Sequence, residues 1–224
     1  DALHIRVGTI DCQIYESFDG GTSFAPLGGP ANSGDTTIFT VEFDPNDFDQ
    51  ALCGAKGAYR TTDAGQSWST ITPFDFDDTD LVYLFEFSPA DPRRVWARAN
   101  LDTVGNYSRE ILVSDDGGAT FSPAIAQGEL VYDQTGVERT VMLSNQPTMA
   151  ADPVDPNLLH FTWTASSCCP YVVEGEILCR YDHYFDELRA VLVEGLNGIN
   201  SMAFNPVDAG VIYLGLESEN IPGT

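Results

Sequence analysis

The chain has 224 residues and carries 34 aspartates and glutamates against ten lysines and arginines, a formal net charge of −24 at pH 7. That length is sufficient for a sizeable core and for one all-β domain. The charge argues against nucleic acids and anionic membranes as partners, because both select for a basic surface.

The first recurring element is a turn that contains a hydroxyl residue, an aspartate, a glycine and then an aromatic residue. The carboxylate can accept hydrogen bonds from backbone N–H groups of the turn, and glycine takes a positive φ at little steric cost. We expect each copy to close a hairpin whose final aromatic residue enters the core. The three copies are Ser17-x-Asp19-x-Gly21-x-Ser23-Phe24, Thr61-x-Asp63-x-Gly65-x-Ser67-Trp68 and Ser114-x-Asp116-x-Gly118-x-Thr120-Phe121.

A second repeat puts a Pro-x-Asp turn at the end of a predicted strand. Proline cannot donate a backbone hydrogen bond to a neighbouring strand, so it marks the point at which the strand stops. Alternating apolar segments precede and follow the copies, as expected for strands. The four copies are Phe43-Asp44-Pro45-x-Asp47, Phe87-Ser88-Pro89-x-Asp91, Ala151-Asp152-Pro153-x-Asp155 and Phe204-Asn205-Pro206-x-Asp208.

Taken in chain order, the two repeats predict a four-stranded antiparallel unit of about 45 residues, the period of a β-propeller blade. We therefore predict an all-β fold, a β-propeller that is incomplete as given, with residues 1–224 in one domain. The remaining blades would come from the same gene or from another chain. Closure of a small ring by the two end segments is the alternative. The predicted bounds are a partial blade at 3–27, whole blades at 36–72, 80–125 and 140–194, and a partial blade at 199–218.

The turn sequence S/T-x-D-x-G-x-S/T-F/W resembles the Asp-box, or BNR, repeat of sialidases, xyloglucanase-type glycoside hydrolases and sortilin-like receptors. The resemblance implies a propeller with these turns on its outer rim, away from the ligand face, and hence a structural role for the motif residues. Those residues are Ser17, Asp19, Gly21, Phe24, Thr61, Asp63, Gly65, Trp68, Ser114, Asp116, Gly118 and Phe121. A sialidase would also carry an F/Y-R-I-P motif at its first substrate arginine, and none occurs here.

Five cysteines indicate an oxidising compartment, if they form disulfides. Cys12 and Cys53 belong to adjacent predicted blades and could form a bridge between them. Cys169, or its neighbour Cys168, could pair with Cys179 and close the predicted loop at 170–177. The alternative is a set of buried free thiols.

Two clusters have side chains that could bind a metal ion. Asp75, Asp77, Asp78 and Asp80 crowd one loop between predicted blades, and calcium would relieve the repulsion among their carboxylates. A solvated acidic loop is the alternative, because the EF-hand pattern is not met. Cys168, Cys169, Cys179 and His183 form a weaker candidate for zinc or copper, because paired C-x-x-C motifs are absent.

An insertion between the third aspartate turn and the next Pro-x-Asp turn, residues 126–148, is the candidate binding surface. Its candidate contact residues are Tyr132, Asp133 and Arg139, and Tyr171 in the following blade is a further candidate. Long insertions on propellers often bind partners. The alternative is a variable loop without a function.

These observations predict an extracellular, cell-surface or periplasmic propeller that acts as a non-catalytic binding or structural module for a protein or a glycan. One alternative is a glycoside hydrolase with part of its active site in blades outside this sequence. Another is a metal-binding propeller. No catalytic residue can be selected, because 34 acidic residues offer many carboxylate pairs and no nucleophile or metalloprotease motif occurs.

Overall fold

The computed structural model describes most of the chain, and over these residues the fold is all-β with nineteen strands and no α-helix. No helix in this part of the chain is long and apolar enough to cross a membrane. The described residues are 3–10, 13–30, 37–72, 74, 80–102, 107–126, 128, 130–132, 134, 136, 138–140, 148–164, 175–194 and 199–216.

The first sheets follow the repeats of the sequence. A three-stranded antiparallel sheet contains β1 (Ile5–Gly8), β2 (Ile14–Ser17) and β3 (Ala25–Gly28). The next four strands are β4 (Thr40–Asp44), β5 (Asp47–Ala55), β6 (Gly57–Thr61) and β7 (Ser69–Thr70). They are followed by β8 (Leu81–Phe87), β9 (Val95–Asp102), β10 (Tyr107–Ser114) and β11 (Ser122–Ala126). A parallel pairing of Gly57 with Leu81 joins β6 to β8, so the two groups form one continuous eight-stranded sheet.

The strands that follow form three further sheets. A two-stranded hairpin of β12 (Leu130–Tyr132) and β13 (Glu138–Thr140) lies within the predicted insertion. A four-stranded antiparallel sheet contains β14 (Met149–Ala151), β15 (Leu158–Thr164), β16 (Gly175–Asp182) and β17 (Glu187–Glu194). The last pair is β18 (Ile199–Phe204) with β19 (Ile212–Leu216).

The chain forms two compact units. The first contains Asp1–Phe87 and Asp91–Ala124, and the second contains Ser88–Ala90 and Ile125–Thr224. That residues 1–224 form one domain stays a prediction.

The core of the first unit is organised around β5, whose residues from Ala51 to Ala55 are all buried. Because successive side chains of a strand point to opposite faces, β5 contributes to two apolar clusters. Leu52 packs with Phe85 and Phe121 in one cluster, and Cys53 packs with Ile14 in the other. Burial of each large apolar side chain contributes roughly 1.5–3 kcal/mol. The sheets of this unit are therefore held together by apolar packing on both sides of β5.

Candidate functional site

The three aspartate turns share one hydrogen-bonded geometry, shown here for the second copy. The Thr61 hydroxyl donates to Asp63 Oδ1 (2.8 Å) and accepts a hydrogen bond from the Gly65 N–H (2.9 Å). The two carboxylate oxygens of Asp63 accept from the N–H (2.8 Å) and the hydroxyl (2.6 Å) of Ser67. The copies at Ser17 and Ser114 repeat these contacts. The motif residues therefore form the hydrogen-bonded turn that their chemistry predicts.

These hydrogen bonds keep the aspartates of the turns ionised. The hydroxyl and N–H of Ser67, followed by the hydroxyl of Thr61, lower the pKa of Asp63 to about 2. The corresponding donors lower the pKa of Asp19 to about 2 as well. Burial raises the pKa of Asp116, but the corresponding hydrogen bonds outweigh burial, and the pKa is lowered. A carboxylate that accepts several hydrogen bonds is stabilised in its charged form.

The glycines of the second and third turns lie directly against the preceding strands. Both have a positive φ, +88° at Gly65 and +80° at Gly118, which favours glycine. A Cβ added at Gly65 would lie 2.7 Å from Leu27 Cδ2, and one at Gly118 would lie 2.7 Å from Leu52 Cδ1. Leu27 belongs to β3 and Leu52 to β5. These two turns therefore fasten each repeat of the sequence to the repeat before it.

The aromatic residues that end the turns differ in burial, which corrects one expectation. Phe121 is 7% exposed and Trp68 packs against the cluster that contains Ile14, but Phe24 is 44% exposed. Trp68 and Phe121 both pack against residues of the preceding repeat, including Ile14 for Trp68 and Leu52 for Phe121. The expectation that every one of these aromatics enters the core is wrong for Phe24.

A buried arginine connects the first sheet to the second turn. Arg6 donates to Glu16 Oε1 (2.8 Å) and to the Ala64 carbonyl (3.0 Å), and its guanidinium lies 4.4 Å from the ring centroid of Phe43. His4 Nε2 lies 2.7 Å from the same Glu16 oxygen. Ala64 has a φ of 61°, a conformation that is unfavourable for alanine. Arg6 therefore helps to hold the second turn in its strained conformation.

The calcium and soft-metal sites remain predictions. Asp75, Asp77 and Asp78 lie outside the described residues, whereas Asp80 is buried and its carbonyl accepts a hydrogen bond from the Gly57 N–H. No group of three or more histidine, cysteine, aspartate or glutamate side chains is arranged to hold a metal ion in the described part of the chain.

The structure describes two of the five cysteines, and both are buried. Cys179 is a free thiol in the middle of β16, where it pairs with Phe161 and Ala190. Burial raises its pKa to about 12. Its predicted partners, Cys168 and Cys169, lie outside the described residues, so the bridge that would close the loop at 170–177 stays a prediction. Cys53 is buried on β5.

The remaining residues of the predicted disulfides and of the soft-metal site do not test those predictions further. Cys12, Cys168 and Cys169 lie outside the described residues. The Cys12–Cys53 bridge therefore stays a prediction. His183, the remaining member of the soft-metal candidate, lies in the turn after β16.

Two of the predicted binding residues lie in the β12–β13 hairpin. Tyr132 ends β12 and is exposed, and Arg139 on β13 pairs with Val131 across the hairpin. Asp133 and Tyr171 lie outside the described residues. A binding role for this set stays a prediction.

A pair of glutamates that the sequence did not single out has the most unusual chemistry in the first unit. Glu42 lies on β4 and Glu86 on β8. Burial, and then the charge of Glu86, raise the pKa of the Glu42 carboxyl to about 8. Glu42 is therefore protonated at neutral pH. A protonated carboxyl close to a second carboxylate can act as a general acid.

The Pro-x-Asp repeat contained the signal for this pair. Aligning the copies on their prolines puts Glu42 and Glu86 at one repeat position, three residues before Pro45 and Pro89. The other two copies have alanine there, at Ala150 and Ala203. Charged residues at one position of two adjacent repeats predict neighbouring carboxylates, because repeats put equivalent residues on equivalent strands.

Comparison with known proteins gives a relative by sequence. The chain is 33% identical over 228 aligned residues to the dispase autolysis-inducing protein of Streptomyces mobaraensis. The match covers 97% of this chain and 57% of that protein, so the chain spans just over half the length of this relative. No protein-family model matches the sequence.

Solved structures similar to this one share its fold at low sequence identity. An ancestral GH74 enzyme matches with a TM-score of 0.60 at 12% identity, over 98% of this chain and 34% of the enzyme. YCF48 bound to a D1 peptide matches with a TM-score of 0.54 at 15% identity, over 97% of this chain and 59% of that one. YCF48 from Cyanidioschyzon merolae matches with a TM-score of 0.52 at 14% identity, over 95% and 60% of the two chains. The chain therefore has the fold of a β-propeller built from antiparallel blades, as its repeats predict.

Proposed function

We propose that this chain is a non-catalytic, extracellular propeller module that binds a secreted protease and promotes cleavage of that protease by itself. The observation that carries the proposal is the 33% identity to the dispase autolysis-inducing protein, which extends over 97% of this chain. Similarity over nearly the whole chain supports a shared surface as well as a shared fold. Since the chain spans 57% of that relative, the activity of the whole relative is itself part of the proposal.

The geometry of the turns supports a scaffold for binding. We interpret the three aspartate turns as Asp-box repeats, because each has the same hydrogen bonds between its hydroxyl, carboxylate and glycine N–H groups. Such local bonds make the blades rigid and leave exposed loops to vary. A net charge of −24 would accelerate association with a basic partner and would be screened by salt.

The proposal is tested by incubating dispase with the purified chain and following the intact protease by mass spectrometry. We expect intact dispase to disappear faster as the concentration of the chain rises, and the rate to saturate when the protease is fully bound. An acidic protein of similar size, added at the same concentration, is the control for bulk charge. An unchanged rate of dispase loss at saturating chain would contradict the proposal.

A second candidate function, glycoside hydrolysis, is favoured by the Glu42 and Glu86 carboxyls. The raised pKa of Glu42 would supply a proton to a leaving group, and Glu86 would act as the ionised partner. The test is release of reducing sugar from xyloglucan and of chromophore from nitrophenyl glycosides. Activity that Glu42→Gln abolishes would support this function, and the absence of any release by the wild-type chain would count against it.

A further inference from the structure

The turn between β16 and β17 departs from the repeat. It joins the last two strands of its repeat, as the three aspartate turns do in theirs, but residues 183–186 lack the hydroxyl, aspartate and glycine pattern. Where one repeat departs from the sequence pattern of the others, a functional role is expected. This turn contains Tyr184 and Phe185 instead.

The departure makes the turn an exposed aromatic tip. Tyr184 is 75% exposed and Phe185 is 71% exposed, and their rings form an edge-to-face pair with centroids 4.9 Å apart. The neighbouring turn, whose Asn157 carbonyl accepts a hydrogen bond from the His183 N–H, also exposes Val154. Single exposed apolar residues are normal on protein surfaces, but adjacent exposed aromatics mark interaction sites.

Hydrogen bonds hold this tip in one conformation. Asp182 Oδ1 accepts from the N–H groups of Tyr184 (3.1 Å) and Phe185 (3.2 Å). The hydroxyl of the buried Tyr181 donates to Asp186 Oδ1 (2.9 Å), and Asp186 has a φ of 52°. The rings are therefore presented by a pre-ordered backbone, which lowers the entropy lost when a partner binds.

The charges around the tip indicate the chemistry of the partner. The segment that carries the two rings also carries Asp182, Asp186 and Glu187, in a chain whose net charge is −24. Among the residues that the structure describes, only Glu187 of these three forms a salt bridge, with Arg189 (2.9 Å). An anionic membrane would be repelled, so the fitting surface is that of a protein with an apolar pocket bordered by lysine or arginine. Aromatic anchors surrounded by complementary charge are typical of the centres of protein interfaces.

We propose that the tip formed by Tyr184 and Phe185 is the docking element of this propeller for its protein partner. The inference rests on the proposed function, because it takes a secreted protease as that partner. The aromatic rings enter an apolar pocket of the protease, and the acidic residues beside them pair with basic residues around that pocket.

The experiment measures binding of the chain to active-site-inhibited dispase, together with dispase autolysis. The test variant is Tyr184→Ser combined with Phe185→Ser. The control is Phe18→Ser, which removes an aromatic that is 70% exposed in the first unit. Circular dichroism and thermal unfolding check that both variants fold. We expect the double variant to bind about tenfold more weakly or worse and to lose most of the promoted autolysis, with the control within about twofold of wild type.

The binding measurements distinguish failure of the docking element from failure of the proposed function. If wild type binds and the double variant binds equally well, the tip is not the docking element, while the proposed function stands. If wild type does not bind dispase, the proposed function and this inference both fail. We expect wild-type binding to weaken between 50 and 500 mM NaCl, because salt screens the attraction between the acidic residues and a basic border of the pocket. Binding that salt leaves unchanged contradicts that border.

Discussion

At the scale of single residues, the chain uses carboxyl groups in two opposite ways. The aspartates of the turns accept several hydrogen bonds and have lowered pKa values, so they remain ionised. Glu42 is half-buried near a second glutamate and has a raised pKa, so it remains protonated at neutral pH. The first arrangement stabilises a local turn. The second costs folding free energy at every pH at which Glu42 would be ionised in the unfolded chain.

We expect Asp63→Asn to lower the free energy of unfolding at neutral pH, because the amide accepts less strongly from Ser67 and Thr61. The pKa of Asp63 is about 2 in the folded chain, below its usual value of 3.8. The contribution of the carboxylate is therefore present above pH 3.8 and is lost as pH falls through 2. Urea unfolding at several pH values should show a gap between wild type and variant that is constant from pH 7 to 4 and closes towards pH 2. A gap that persists at pH 2 would contradict this explanation.

The Ser67→Ala variant tests whether Asp63 acts through its short bond to that hydroxyl. Ser67 donates to the carboxylate over 2.6 Å, so its loss should remove much of the same stabilisation. In a double-mutant cycle, the two substitutions should be clearly non-additive. Additive effects would show that the two residues act separately.

Glu42→Gln should stabilise the chain at neutral pH. The carboxyl has a folded pKa of about 8 against 4.5 for the ordinary group, so wild-type stability falls as pH rises from 4.5 to 8. At one pKa unit per 1.36 kcal/mol, the variant should gain about 3 kcal/mol on wild type between pH 4.5 and pH 7. Urea midpoints of both chains across this range measure the effect. Parallel pH profiles for the two chains would show that Glu42 ionises normally.

At the scale of strands and turns, successive repeats of the first unit are joined by the turns themselves. Gly118 lies against Leu52 of β5, and Gly65 lies against Leu27 of β3. Arg6 adds a third link, from β1 to the carbonyl of Ala64. A turn that only reversed the chain would tolerate small side chains facing outward, whereas Gly65 and Gly118 have no space for a Cβ.

Gly118→Ala should therefore destabilise the chain more than Gly117→Ala. Both glycines have a positive φ, +80° and +70°, so the backbone penalty of roughly 1 kcal/mol is common to both substitutions. Only Gly118 has a side chain within 3 Å of its added Cβ, and overpacking costs roughly 1–3 kcal/mol more. Chemical denaturation of both variants measures the difference.

A second substitution, Leu52→Ala, separates the clash between the added Cβ and Leu52 from the other effects of Gly118→Ala. In the Leu52→Ala background the clash is gone, so Gly118→Ala should cost about as much as Gly117→Ala. Equal costs of the two glycine substitutions in the wild-type background would show that the turn adjusts away from Leu52.

At the scale of the whole molecule, the charge of −24 opposes the compact state by self-repulsion. The melting temperature should therefore rise when NaCl increases from 20 to 200 mM, because the Debye length falls below about 10 Å over this range. Differential scanning calorimetry measures the shift, and sucrose at equal osmolarity is the control for excluded-solute effects. A melting temperature that does not respond to salt would show that the repulsion is relieved within the structure.

The positions of strands and turns could be predicted from the sequence because their causes are local. The strands of the third repeat, Leu81–Phe87 to Ser122–Ala126, lie almost wholly within the predicted range 80–125. Each aspartate turn forms its hydrogen bonds within a few residues of chain, and proline stops a strand whatever its surroundings. Propeller blades repeat such local units, so the fold class followed from the motifs and their spacing.

Features that depend on which surfaces meet were decided by the tertiary structure. Phe24 has the same motif position as Phe121 but is 44% exposed against 7%, because the motif determines the turn and not which side chains pack against it. Cys179 is buried in mid-strand because its pairing with Phe161 and Ala190 places it there, and the sequence does not reveal that pairing. The raised pKa of Glu42 requires burial and a second glutamate 44 positions away in the sequence. By itself, the sequence determined the repeated turns and strands of a propeller, since those depend on neighbouring residues. The packing of the sheets decided which side chains carry unusual chemistry, because burial and distant charges exist only in the folded chain.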